Sequence, residues 1–339
     1  MNDRYSRQEL FAPIGESGQQ KISAKHALIV GAGALGTTNA EALVRAGIGK
    51  LTIVDRDYVE WSNLQRQQLY AEDDAKNRMP KAIAAKKRLE AINSTVTIEA
   101  IVADASVFEL EKWAKQADLM IDATDNFETR MIMNDVSQKY SVPWIYGACV
   151  GSYGITYTII PEKNPCFSCL LETVPIGGLT CDTAGIISPA VQMVTAHQIS
   201  EALKILVDDT AGLRNKLISF DLWKNQYSAI KVDKMKKDDC LSCGNNRTYP
   251  YLSFENQTTT AVLCGRDSVQ IRPSAKKEQD LAKLEKVFLQ QGGNVQRNPY
   301  LLSYSVDDHR LVIFKDGRVL VHGTKDIVEA KTLYHRYLG

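Results

Sequence analysis

Gly31-Ala32-Gly33-Ala34-Leu35-Gly36 stands between an apolar run, His26 to Val30, and a small-residue stretch from Ala34 to Ala46. A second apolar run, Leu51-Thr52-Ile53-Val54, ends in Asp55. Strand, glycine-rich turn, helix and strand make a βαβ unit. Two parallel neighbours cannot be joined by a tight hairpin, so a unit of this kind commits the chain to a parallel sheet with helices crossing its faces.

The alternation continues through a helix from Pro80 to Ile92, a strand from Val96 to Ile101 and a helix from Val107 to Ala114. A strand Leu119 to Asp122, a helix Asn126 to Tyr140 and a strand Trp144 to Gly147 follow. This order predicts a Rossmann-like, doubly wound α/β fold. Tyr153, Ile155, Tyr157 and Ile159 alternate within Gly151 to Ile160 and predict an added antiparallel strand. Thr173 to Pro189 is rich in Gly, Pro and Thr, as functional loops are, and leads into a long helix ending near Val207. Leu217 to Phe220 and Tyr227 to Val232 read as further strands.

Past Cys243 the character changes. The expected division is an N-terminal arm and helix over 1–25, a nucleotide-binding domain over 26–244, a polar linker over 245–260 and a small α+β domain over 261–339. In the last part, strands at Ala261 to Ile271, Leu301 to Ser305, Leu311 to Phe314 and Val319 to His322 are expected beside helices at Gln279 to Gln291 and Ile327 to Tyr337. Asp316-Gly317 marks a hairpin turn.

The glycines let backbone N–H groups and a helix N-terminus approach phosphates, and Asp55 is placed to accept hydrogen bonds from ribose hydroxyls. That much leaves a dinucleotide and ATP equally open. Asn63-Leu64-Gln65-Arg66 comes just after Asp55, Lys81 begins the next helix, and Asp122-Ala123-Thr124-Asp125-Asn126 lies at the C-terminal end of a later strand. Arg66 and Lys81 beside a triphosphate would stabilise charge developing on phosphoryl oxygens, and a strand-end Asp can hold Mg2+. Net charge is +1, which gives no reason to expect nucleic acid or an anionic membrane as a partner. No apolar run is long enough to cross a bilayer and the first residues carry no signal core, so a cytoplasmic protein is expected.

Seven cysteines in a reducing compartment read as ligands, nucleophiles or core residues rather than disulfides. Cys166/Cys169 and Cys240/Cys243 form two Cys-x-x-Cys pairs, the donor set of a closed structural Zn2+ site; a redox dithiol would need only one such pair. Cys149 is assigned to the core and Cys181 to the loop before the long helix. Cys264-Gly265-Arg266 invites comparison with a rhodanese domain, but about eighty residues is short for one and Cys264 lies too near its start.

Arg4-Tyr5-Ser6-Arg7-Gln8, the glycine turn, Asp55-x-Asp57 through Ser62-Asn63-Leu64-Gln65-Arg66-Gln67, Pro80-Lys81, Asp122 to Asn126, Leu179-Thr180-Cys181 and both cysteine pairs resemble, in order, the ubiquitin-activating-enzyme-like family, specifically its bacterial MoeB/ThiF adenylyltransferases. The resemblance covers about residues 4 to 243 and not the C-terminal part. It implies that ATP binds at the glycine turn and adenylates the C-terminal Gly-Gly carboxylate of a ubiquitin-like sulfur carrier, MoaD in molybdopterin synthesis or ThiS in thiazole synthesis, releasing pyrophosphate. Overall likeness leans to MoaD, with no residue that carries the choice.

Carried over by motif, Gly31, Gly33 and Gly36 form the nucleotide turn, Asp55 would hold the ribose, Asn63, Gln65, Arg66 and Lys81 the phosphates, and Asp125 Mg2+. Arg7 would reach the active site of the other protomer of a homodimer. In some relatives a cysteine at the place of Cys181 joins covalently to the carrier, and in others it is dispensable. A sulfurtransferase or cysteine desulfurase is an implied further partner. Two other readings stand beside this one. An NAD-dependent oxidoreductase would use the glycine turn but leave Arg66, Lys81 and Asp125 without a shared role, and a zinc scaffold would bind a carrier without activating it.

Overall fold

The computed structural model describes residues 3–171, 184–253, 260–262, 267–272, 278–306 and 308–338. The chain divides into two units, one of residues 1–76 and 80–254, the other of residues 77–79 and 255–339.

In the first unit eight strands form one sheet: β1 (His26–Val30), β2 (Lys50–Asp55), β3 (Thr97–Val102), β4 (Leu119–Asp122), β5 (Trp144–Val150), β6 (Tyr153–Ile159), β7 (Lys216–Asp221) and β8 (Gln226–Lys231). Their order is β3-β2-β1-β4-β5-β6-β7-β8. The first five in that order are parallel, and β6, β7 and β8 add on antiparallel. Parallel strands covered on both faces need unbroken apolar runs. Ala27 to Val30, Leu51 with Ile53 and Val54, and Leu119 to Ile121 supply them, all buried.

The helices of this unit are α1 (Ser6–Glu9), α2 (Gly15–Ala24), α3 (Ala34–Arg45), α4 (Glu72–Lys76), α5 (Lys81–Ile92), α6 (Val107–Ala114), α7 (Phe127–Tyr140), α8 (Phe167–Leu171) and α9 (Ser188–Leu206). α3 packs on α5 and α9, and α6 packs on α7. Asn126 caps α7, its side chain accepting the Thr129 N–H at 2.9 Å, so this helix begins one residue later than its sequence pattern suggests. β5 runs three residues beyond the expected Gly147 because Ala148, Cys149 and Val150 keep pairing with β6 across the turn at Gly151. Nothing in Ala-Cys-Val alternates, so a partner strand is what extends it. Among the described residues no helix is long and apolar enough to cross a membrane.

His26 opens β1 half-buried, with Nδ1 2.6 Å from Gln116 O and Nε2 2.8 Å from Thr52 Oγ1. Burial is the main cause that lowers its pKa from the ordinary 6.5. A base whose folded pKa is depressed gives full stability above 6.5 and loses it as pH falls from 6.5 through the folded value, because the unfolded chain takes the proton first. The urea midpoint should therefore fall less between about pH 7.5 and pH 5.5 in His26→Gln than in the parent. Equal falls in the two proteins would refute the assignment.

The second unit is a six-stranded antiparallel sheet of β9 (Thr260–Val262), β10 (Ser268–Ile271), β11 (Asn294–Arg297), β12 (Leu301–Val306), β13 (His309–Phe314) and β14 (Val319–His322), in the order β11-β12-β13-β14-β10-β9. Helices α10 (Leu281–Gln290) and α11 (Ile327–Leu338) pack on its core of Val269, Leu302, Tyr304, Leu311, Ile313, Val321, Phe288 and Leu333. Phe288 stacks on Tyr304 with ring centroids 4.4 Å apart. Asn294-Val-Gln-Arg297 carries no strand pattern in the sequence; it is a polar edge strand held to β12 by its main chain. Asn298 Nδ2 donates to the carbonyls of Asn77 and Arg78 at 3.1 and 3.0 Å, which brings that short segment into this unit.

Candidate active site and cysteine cluster

The strand order turns back between β1 and β4, and in an open α/β sheet ligands bind at such a point, outside the carboxyl ends of the strands. The glycine turn follows β1 and Ala123 to Asn126 follow β4, so the two face each other there. Gly31 has φ +101°, and a Cβ on it would collide with the Ala123 carbonyl. A Cβ on Gly36 would collide with Gly31 O. The space beside Gly33 is open, with Gln67 Nε2 the nearest side-chain atom at 3.9 Å. Gly33 is the N-cap of α3, where no side chain caps the first-turn amides. N–H groups at a helix N-terminus, together with the helix dipole, can hold an anion such as a phosphate.

Asp55 ends β2 and accepts the Ala32 N–H on Oδ2 at 2.6 Å and the Asp57 N–H on Oδ1 at 2.7 Å. Burial pushes its carboxyl up in pKa, against the pull of Lys81. Each oxygen keeps a second acceptor position, which a ribose hydroxyl can use. Lys81, first residue of α5, is buried; its ammonium lies 3.4 Å from Asp57 Oδ2 and its N–H donates to Asp57 O at 2.9 Å. Asn63 is buried as well, its Oδ1 accepting the Glu60 N–H at 3.1 Å, so its carbonyl is engaged in a local capping box. Gln65 is exposed and reaches Ile186 O at 3.5 Å, while Arg66 is half-buried and donates to Ser62 O at 2.8 Å.

Asp125 is open, its side chain 77% exposed, with the Arg56 guanidinium 3.9 Å away; Arg56 also faces Asp104 at 3.6 Å. Beneath it lies a pair the sequence reading passed over. Arg130 Nε donates to Asp122 Oδ2 at 2.9 Å and its Nη2 to Thr124 O at 2.7 Å, while Asp122 Oδ1 accepts from Thr124 N and Oγ1. Both side chains are buried. Burial opposes the Arg130 charge, and Asp122, with Tyr146 and Asp125, together more than offset this, raising its pKa. The pair holds the turn that carries Asp125. Its signal in the sequence was a charge set among Met131, Ile132 and Met133, one helical turn past the cap.

The second centre is the cysteine cluster. Cys166, Cys169 and Cys243 are buried and Cys240 is half-buried; all four Sγ atoms lie within 4.8 Å of one another. Pairs stand 3.5 Å (Cys169–Cys243), 3.7 Å (Cys166–Cys240) and 3.9 Å (Cys166–Cys169) apart. A tetrahedron with Zn–S bonds of 2.3 Å has edges of about 3.8 Å, so the four sulfurs fit a zinc ion. Phe167 N donates to Asn134 Oδ1 at 2.8 Å, and Ser168 meets Ser242 at 3.1 Å, which joins the two knuckles beside the sulfurs. Arg247 makes a two-pronged pair with Glu162 and donates Nε to Gly244 O, fastening the second knuckle. The redox reading of a single dithiol does not account for four thiols gathered at one point.

Residues 5–242 match the family described as ThiF. The chain belongs to the ThiF family. It is 55% identical over 339 residues to the sulfur carrier protein ThiS adenylyltransferase of Bacillus subtilis, covering all of both chains. It is 33% identical over 242 residues to the molybdopterin-synthase adenylyltransferase of Escherichia coli, covering 71% of this chain and 96% of that one. The crystal structure of E. coli MccB with ATP superposes with a TM-score of 0.61 at 22% identity, over 72% of this chain and 75% of that chain, a likeness of fold.

In this ThiF-family chain the glycine turn, Asp55, Asp57 and Lys81 form one hydrogen-bonded group, and Asp125 stands across from it on the β4 side. Arg7 is exposed on α1. Cys149 is half-buried rather than fully internal; near the end of β5 it packs against the buried cluster of Leu35, Val191, Val194, Ile218 and Phe220. Cys181 and Cys264 lie outside the described residues. Asp57, Gln67 and Tyr70 are additions to the expected set. Asp57 and Gln67 fall inside quoted motifs, and Tyr70 has no local signal.

Proposed function

We propose that this chain adenylates the C-terminal Gly-Gly carboxylate of a ubiquitin-like sulfur carrier, with ThiS as the carrier. The observation that carries this is the 55% identity over the whole of both chains to a ThiS adenylyltransferase, C-terminal unit included. It replaces the lean toward MoaD. In the reaction a carboxylate oxygen attacks the α-phosphorus of ATP, the bond to the β-phosphate oxygen breaks, and acyl-adenylate and pyrophosphate form. A carboxylate is already a nucleophile at neutral pH, so positioning and charge stabilisation are the main needs.

The first-turn amides of α3 would take phosphate oxygens, Asp55 the ribose, and Gln65, Arg66, Lys81 and the amide of Asn63 the polyphosphate. Asp125, one open carboxylate at a strand end, suits Mg2+ bound through one protein ligand, phosphate oxygens and water. A bound Mg2+ would supply charge neutralisation at the phosphates. Arg7 would serve the site of a second protomer in a homodimer, and the cysteine cluster would hold zinc as a structural staple. A sulfurtransferase or cysteine desulfurase acting after adenylation, and a cytoplasmic setting, complete the reading; whether Cys181 attaches to the carrier is decided by looking for a covalent adduct in Cys181→Ala and parent protein.

ATP/pyrophosphate exchange measured with ThiS and MoaD supplied separately tests this. Exchange with ThiS and little with MoaD is expected, and exchange with neither would sink the proposal. Asp125→Ala and Arg66→Ala should each lower exchange about a hundredfold or more while the melting temperature stays within a few degrees, because the Asp125 side chain is largely open and Arg66 only half-buried.

A further inference from the structure

Resting on that reading, we propose that Tyr70 is a positioning residue for ATP, its hydroxyl tying the glycine turn to the lysine-bearing start of α5. Tyr70 is 7% exposed and lies just past the Asn63 to Gln67 segment. Its hydroxyl is 2.6 Å from Ala32 O and 3.2 Å from Lys81 O. A phenol has one proton to donate, so the shorter bond, to Ala32, takes most of it, and the Lys81 carbonyl shares the remainder.

The consequence follows from peptide planarity. Asp55 already holds the Ala32 N–H, which fixes the Gly31–Ala32 peptide plane. Tyr70 holds the Ala32 carbonyl, which fixes the next plane, Ala32–Gly33. In a trans peptide the C=O and N–H point opposite ways. Drawing Ala32 O back to a buried phenol therefore turns the Gly33 N–H to the other side, away from Tyr70. That N–H joins the uncapped first-turn amides of α3 as a phosphate donor.

Glycine on both sides of Ala32 makes this turn soft, so the two bonds decide its shape. The same hydroxyl touches the residue that carries the ammonium. Lys81 is held on three sides: its N–H and its Nζ by Asp57, its carbonyl by Tyr70. A phenylalanine would fill nearly the same volume and do none of this. A tyrosine present only to fill the core would need a partner for its hydroxyl but not one on the phosphate turn.

The test is Tyr70→Phe in the full-length chain. ATP affinity is measured by calorimetry without carrier, and KM for ATP and for ThiS by pyrophosphate exchange. Positioning predicts that Kd and KM for ATP rise about five- to tenfold while KM for ThiS stays within twofold. In a cycle with Asp55→Asn, the losses in ATP affinity should be less than additive, since both act on one turn. Unchanged ATP affinity would overturn the proposal. So would equal losses toward ATP and ThiS accompanied by a lower melting temperature, which is what a purely structural tyrosine would give. If the parent binds ATP but shows no exchange, the carrier reading fails and the calorimetric comparison still decides Tyr70; a parent that binds no ATP would overturn both.

Discussion

Lys81→Met is expected to lower carrier-dependent ATP/pyrophosphate exchange about a thousandfold, the largest single loss in the ATP site. Cations placed beforehand at a transferring phosphoryl group act where charge grows, and removing one such group commonly costs two to three orders of magnitude. Lys81 is already set: its ammonium is buried beside Asp57, its backbone is fixed at both ends, and little reordering is needed when ATP arrives. The substitution also takes from buried Asp57 the ammonium it faces, and breaking a buried pair costs about 3–5 kcal/mol. A bare loss of activity would then be ambiguous. The double variant Lys81→Met/Asp57→Asn separates the effects, since it removes both charges together and should melt near the parent while remaining inactive. Recovery of exchange in the double variant would mean that the lysine serves only as a counter-ion to Asp57.

What the sequence disclosed and what it hid divide along one line. Signals carried by neighbouring residues were legible: the apolar runs of β1, β2 and β4, the glycines of the first turn, the alternation in β6 and the two cysteine pairs. Features set by a partner far along the chain were not. β5 continues past Gly147 because β6 lies beside it, and β11 exists because β12 offers it a main chain to pair with. Tyr70 reads as one more aromatic until Ala32 and Lys81 come within reach of its hydroxyl. Arg130 reads as a misplaced charge until Asp122 is found beside it. Asn63 shows the converse, since a residue quoted for its motif has its carbonyl engaged in a local turn.

Stripping zinc, or Cys169→Ser, is expected to lower the melting temperature by more than about 10 °C and to abolish exchange although no cysteine of the cluster stands in the ATP cleft. Structural zinc contributes on the order of 10 kcal/mol in small metal-dependent folds, comparable with the whole stability of many domains. At about 2–4 °C per kcal/mol for a unit of this size, even half of that gives about 10–20 °C. The loss should reach the active site by a traceable route. Phe167, between Cys166 and Cys169, is wholly buried, with its ring centroid 5.4 Å from Trp144 and 4.8 Å from Tyr146. Tyr146 lies under the Arg130 guanidinium, 5.4 Å from ring centroid to Cζ, and Arg130 holds Asp122 and Thr124 O, hence the turn bearing Asp125. Loosening the first knuckle thus frees Phe167, and with it the stack on which Arg130 rests. Exchange should accordingly fall at temperatures where the zinc-depleted chain is still folded by circular dichroism. Protein shown by metal analysis to be zinc-free, yet melting and exchanging like the parent, would refute both the staple and the route.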